Sequence, residues 1–203
     1  MSDLSVKATK DNFFQSNAPN DNNGSGTNNA LCSLSGNVYR IPLAFDISSL
    51  PEGATIISAK MYLYYASYYA TNPSGVNTQV YKITREDWHE TQSCWNNYKT
   101  GSAWTTGGGD YVTSSPAGAE AEMPSSFGFM DWDIKAIAED AIANVSGKVN
   151  VLLKFESEGI ATRYQPNFYS KEYETDTTKR PKLVIEYEVG GVSRRKSFSI
   201  LHV

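Results

Sequence analysis

Apolar residues recur at every second position along much of the chain. Tyr39, Ile41, Leu43 and Phe45 fall on one face, with Val38 and Arg40 opposite. Ile57, Ala59, Met61, Leu63 and Tyr65 repeat the pattern, with Ser58, Lys60, Tyr62 and Tyr64 on the other side. Val149, Val151, Leu153 and Phe155 do so again, as do Leu183, Ile185 and Tyr187. Side chains alternate across a strand, so this period predicts antiparallel strands with one face on a core. Shorter strands are expected as well, among them 4–9, 29–34, 79–83 and 165–170. Turn sequences such as Leu50-Pro51-Glu52-Gly53 and Asn72-Pro73-Ser74-Gly75 separate them. Many short strands divided by such turns predict an all-β fold, a jelly-roll-like antiparallel β-sandwich.

One segment changes period. Ile134, Ile137, Ala138, Ala141, Ile142 and Val145 follow helical spacing and predict a single helix at about 133–146. Asp133 is placed to cap its start and Gly147 its end. Residues 12–29 hold seven Asn with Asp21, Gly24 and Gly26, which reads as a polar loop. Residues 190–203 begin Gly190-Gly191, continue through Arg194, Arg195 and Lys196, and end in an alternating run with Phe198, Ile200 and Val203. The expected organisation is therefore a sandwich domain over 1–189 and a C-terminal basic and apolar tail over 190–203. The tail would dock by strand addition on a neighbour, or return to its own sheet.

Composition narrows the function classes. The 203 residues carry a net charge of −4, which excludes a general nucleic-acid binder. Because the tail is basic, the remaining body is more acidic than this balance suggests. Two Cys and two His leave little material for metal centres or nucleophilic catalysis. Cys32 and Cys94 either pair or remain buried thiols. Aromatics reach 12 %, including thirteen Tyr, which suits strand-built domains. No apolar window is long enough to span a membrane, and Met1-Ser2-Asp3 leads into Leu4-Ser5-Val6 without the basic start and apolar run of a signal peptide.

Several ordered motifs resemble one family. Lys7-Ala8-Thr9-Lys10-Asp11, the Asn-rich loop, and Tyr39-Arg40-Ile41-Pro42-Leu43-Ala44-Phe45-Asp46 are followed by ISSLPEGATIISAK over 47–60. Asp87-Trp88-His89-Glu90-Thr91, Trp95-Asn96-Asn97, Gly107 to Asp110, Asp131-Trp132-Asp133 and Arg180-Pro181-Lys182-Leu183-Val184-Ile185 continue the series. Over about residues 5–189 the chain resembles the DNRLRE domain family. That resemblance implies a jelly-roll-like sandwich, usually non-catalytic and carried by secreted, surface or phage-related microbial proteins, with some relatives akin to carbohydrate-binding modules. Cys94 stands where the family usually has Thr or Val, and the last fourteen residues lie outside its pattern.

Candidate chemistry is sparse. Tyr62 and Tyr64 face away from the core and, with Tyr68 and Tyr69, would form an exposed aromatic stripe on which sugar rings stack; cross-strand packing is the alternative. Trp88 and Trp95 suit a core better than a sugar platform, and Asn96 and Asn97 would organise their own loop. No cofactor is implied beyond Ca²⁺ at Asp11, Asp21, Asn22 and Asn23, which offer hard oxygens without the spacing of a defined calcium loop. Glu156 with Glu158, and Glu172 with Glu174 and Asp176, read as solvated faces rather than the paired carboxylates of a glycosidase. No Ser–His–Asp, Cys–His or phosphate-loop arrangement is present, so no enzyme is expected.

The first functional expectation is a structural or adhesion protein of an extracellular assembly, a phage virion surface component such as a capsid decoration, fibre or tail protein. It would be made in the cytosol and act on the virion or an extracellular surface, joined to protein partners or to copies of itself. The alternative is a carbohydrate-binding module serving a polysaccharide-degrading enzyme or a cell-surface protein. In either case a polysaccharide is the expected small ligand, and no nucleic acid is.

Overall fold

The computed structural model describes residues 1–114 and 118–189. In chain order the strands are β1 (Ser2–Lys7), β2 (Lys10–Asp11), β3 (Phe14–Gln15), β4 (Asn28–Ala30), β5 (Cys32–Leu34) and β6 (Asn37–Asp46). There follow β7 (Ala54–Ala70), β8 (Asn77–Ile83), β9 (Asn97–Lys99), β10 (Ser102–Ala103), β11 (Tyr111–Val112), β12 (Ala119–Glu122) and β13 (Gly128–Asp133). Helix α1 (Lys135–Asn144) precedes β14 (Lys148–Phe155), β15 (Tyr164–Tyr169) and β16 (Lys182–Val189).

β9 and β10 pair as a separate two-stranded sheet, and the other strands build an antiparallel sandwich of two sheets. The six-stranded sheet runs β1-β16-β7-β15-β4, with β13 also on β7. Met61 pairs with both Leu183 and Trp132, so β16 and β13 flank β7 on opposite edges. The eight-stranded sheet runs β11-β8-β14-β6-β2, with β12 on β8 and β3 and β5 on β6. The alternation read from the sequence sets the interior. Ile41, Leu43 and Phe45 of β6 and Val149, Val151 and Leu153 of β14 share one buried cluster with Ala59, Met61 and Leu63 of β7 and Leu183 and Ile185 of β16. Burying each such side chain contributes about 1.5–3 kcal/mol.

The alternation breaks at two places on β7. Between Glu186 and Tyr187 the register with β16 slips by one residue, so Ile56 is buried while Ile57 is 40 % exposed. Ile57 therefore leaves the core face on which a strict period places it, because a bulge turns every side chain beyond it over. A second slip lies between Asn167 and Phe168 of β15, opposite Ser67 and Tyr65.

Helix α1 is shorter than the expected 133–146 span. Asp133 Oδ1 accepts the Lys135 N–H at 3.0 Å, but Ile134 occupies the capping position and supplies no side-chain bond. Gly147, at φ +77°, donates its N–H to the Ala141 carbonyl and ends the helix. Ile137, Ala138 and Ala141 are buried, whereas Ile142 is 42 % exposed and does not join the packed face.

A second, smaller core lies on the outer face of the eight-stranded sheet. Ala44 of β6 and Leu152 of β14 point outward and meet Phe14, Ile83, Trp88 and Trp104. The segment from 84 to 110 thus roofs this face. Its rings are tied in by their polar edges: Trp88 Nε1 donates to Asn150 Oδ1 at 2.9 Å, and Trp104 Nε1 to the Cys94 carbonyl at 3.0 Å. Arg40 fastens the roof from below. Its guanidinium forms a two-pronged bond to Glu158 at 2.8 and 3.0 Å and lies 5.1 Å from the Trp95 ring. Cys32 and Cys94 are both buried free thiols, which resolves the alternative left by their count.

Candidate functional site

The outer face of the six-stranded sheet carries aromatic rings that no segment among the described residues covers. Tyr62 and Tyr64 stand there on β7 as the alternation requires, and Phe129 of β13 packs edge-on to both, at 6.4 and 5.2 Å between ring centroids. Tyr169 of β15 stacks on Tyr64 at 5.4 Å, and Tyr173 stacks on Tyr169 at 3.6 Å. Lysines border the rings. Lys182, paired with Tyr62 across the strands, lies 4.6 Å from the Phe129 ring, and Lys179 lies 4.8 Å from the Tyr64 ring. Lys60 pairs with Asp131 at 2.8 Å on the same face. Phe129 is 42 % exposed, and Tyr62, Tyr64, Tyr169 and Tyr173 are half-buried.

The second bulge of β7 divides the four tyrosines singled out from the sequence. Ser67, opposite Asn167, stays on the outer face, and Tyr69 follows it there with the Arg163 guanidinium 4.7 Å from its ring. Tyr68 turns to the side of Tyr65, and both rings meet Phe127. The structure therefore gathers Tyr62, Tyr64 and Tyr69 on one face and separates Tyr68 from them. Phe129, Tyr169, Tyr173, Lys179 and Lys182 join a surface that sequence reasoning drew too narrowly. Phe129 alternates with the buried Met130 and Trp132, a strand signal at 128–133 that the approach to the helix obscured.

Other candidates fall elsewhere. Trp88 is buried as expected, and Trp95 is half-buried beneath Gly107 and Gly108. Asn96 reaches outside its loop: its N–H donates to the Pro19 carbonyl and its Nδ2 to Asn20 Oδ1 at 2.9 Å. The tail residues Arg194, Arg195, Lys196, Phe198, Ile200 and Val203 lie outside the described residues. A cleft of about 490 Å³, lined by Thr84, Arg85, Thr105, Asp110, Tyr111 and Thr113, lies beside the roof and is one of several surface concavities. Its lining is mostly small and polar, with Tyr111 its lone aromatic.

The acidic residues are not all solvated. Glu158 is held by Arg40 and has only 13 % of its side chain exposed. Glu172 comes together with Asp11 and Glu90, one carboxylate oxygen from each lying within 4.8 Å of the others. Burial, with Glu172 and Glu90 adding repulsion, pushes the Asp11 carboxyl up to about 7. Of the proposed calcium set, only Asp11 belongs to this cluster. Asp21 is exposed, and the amides of Asn22 and Asn23 are given to the Glu90, Ser93 and Phe13 carbonyls. Asn22 Oδ1 accepts the Gly24 N–H.

No curated protein matches the chain. A family profile does, over residues 2–187, and it describes carbohydrate-binding module family 96. This bears out the carbohydrate-binding-module side of the resemblance found in the motifs. With nearly all of the sandwich covered, the chain belongs to carbohydrate-binding module family 96.

Proposed function

We propose that the protein is a non-catalytic module that holds a polysaccharide on the outer face of its six-stranded sheet. The observation that carries this reading is the set of Tyr62, Tyr64, Phe129 and Tyr169 packed together on a face that no other described segment covers. Sugar rings expose apolar C–H faces that stack on such rings, and the ammonium groups of Lys179 and Lys182 offer donors to hydroxyl or carboxylate oxygens beside them. A shallow aromatic surface suits a long polymer, which a closed pocket would exclude. The module would keep a polysaccharide-degrading enzyme or a cell-surface protein close to its polymer. The DNRLRE motifs support the same assignment at finer grain. The virion-surface expectation draws no support from the fold or from the family match.

The carboxylates first considered for hydrolysis have other partners. Arg40 and Lys154 hold Glu158, and Asn77 donates to Glu156. The test is affinity electrophoresis through gels containing neutral or uronic-acid polysaccharides. The wild-type chain is expected to be retarded by at least one polymer, and Y62A/Y64A to lose at least about tenfold in affinity while keeping its fold. No retardation by any polymer, or equal retardation of the double variant, contradicts the proposal.

A further inference from the structure

Four segments distant in sequence converge below the Asn-rich loop and bring oxygen atoms together. Asp11 of β2, Glu90 of the roof and Glu172 of the turn after β15 each place a carboxylate oxygen within 4.8 Å of the others, and the Asn29 side chain of β4 lies beside Asp11. Two of the three carboxylates carry an oxygen with no hydrogen-bond partner, Asp11 Oδ1 and Glu172 Oε2. Asn29 is 1 % exposed, and neither atom of its amide has a partner. Asp11 is itself 1 % exposed, so its free oxygen is shut off from solvent. Buried polar atoms are nearly always bonded, and a group of orphaned oxygens in one place requires a cause.

The rest of each side chain is held in place. Asp11 Oδ2 accepts the Lys171 N–H at 2.7 Å, and Glu90 Oε1 accepts the Asp11 N–H at 2.7 Å. The positive groups nearby are Lys171 and Lys10. Lys171 Nζ reaches Glu90 Oε2 at 3.1 Å and Glu172 Oε1 at 2.5 Å, while Lys10 Nζ donates to the Trp88 carbonyl at 2.8 Å. One ammonium thus faces three carboxylates, and it leaves Asp11 Oδ1, Glu172 Oε2 and Asn29 Oδ1 unmet.

We infer that Asp11, Asn29, Glu90 and Glu172 form a divalent-cation site of the calcium type. The spacing fits: oxygens on opposite sides of a Ca²⁺ ion lie about 4.6–5.2 Å apart, twice the usual bond length. The ligands are all hard oxygens, and their irregular placement on four segments suits calcium, whereas magnesium demands a near-ideal octahedron and keeps its water. A cation would turn the burial of three like charges from a cost into an attraction, and would bind Asp11 in its ionised form. Lys171, with 26 % of its side chain exposed, can move its ammonium to solvent when the ion enters. The site would clamp the roof, the Asn-rich loop and the turn after β15 to one another. It does not depend on glycan binding.

The test is calorimetric titration of CaCl₂ into the EDTA-stripped chain, with thermal melting in parallel. One ion per chain is expected, with melting raised by about 5–10 °C at a hundredfold excess over the dissociation constant. E172Q is expected to weaken binding at least about tenfold, and D11N to abolish it. E174Q, which removes an exposed neighbour, should bind as the wild type does. If D11N does not fold, E172Q decides the matter. No heat and no melting shift at about 5 mM calcium overturns the site. So does unchanged binding by E172Q, and an equal response to magnesium overturns the calcium assignment.

Discussion

Both sheets carry aromatic rings on their outer sides, and the two sets of rings differ in how they are covered. On the eight-stranded sheet the chain returns after β8 and lays residues 84 to 110 over the face, so that Trp88 and Trp104 become a second core with Phe14 and Leu152. On the six-stranded sheet no such segment crosses among the described residues, and Tyr62, Tyr64 and Phe129 are partly exposed. The residue types are similar; the covering differs. Large rings therefore identify a ligand surface only once the path of the connecting segments is known. Burial decides the role.

That contrast can be broken in three ways, each followed by chemical denaturation. Trp88→Ala should cost about 3–5 kcal/mol, since it leaves a cavity and strands Asn150 Oδ1 without its donor. Gly108→Ala comes next. Gly108 sits at φ +87°, and a Cβ there would lie 2.9 Å from both Arg40 and the Trp95 ring, so a loss of about 1–3 kcal/mol is expected. Tyr64→Ala should cost the least, about 1 kcal/mol, because the ring contributes mainly cross-strand contacts at a half-exposed position. If Tyr64→Ala destabilised as much as Trp88→Ala, the two faces would be alike and the open face would be structural.

Much of the fold was legible because period-two alternation is a local property. Ile41, Leu43, Phe45, Met61 and Leu63 could be placed on the core face from their spacing alone. The bulges on β7 could not. Their positions depend on how β15 and β16 meet that strand, so Ile57 and Tyr68 were assigned to faces they do not occupy. The aromatic face was half legible. Tyr62 and Tyr64 follow from alternation, but Tyr173 arrives from a turn and Lys182 from the last strand, brought alongside only by sheet pairing. The acidic cluster was the least visible. Asp11 was noticed for its oxygens, whereas Glu172 was read as solvated because its partners, Asp11 and Glu90, lie far away in sequence.

Amide chemical-shift mapping during a polysaccharide titration shows whether glycan is held on the outer face of the six-stranded sheet. Shifts are expected to concentrate at 60–64, 129–131, 167–173 and 179–184, where Tyr62, Tyr64, Phe129, Tyr169 and the lysines stand. Shifts concentrated at Thr84, Thr105, Asp110 and Tyr111, with the face of β7 unmoved, would place the sugar in the cleft beside the roof and contradict it.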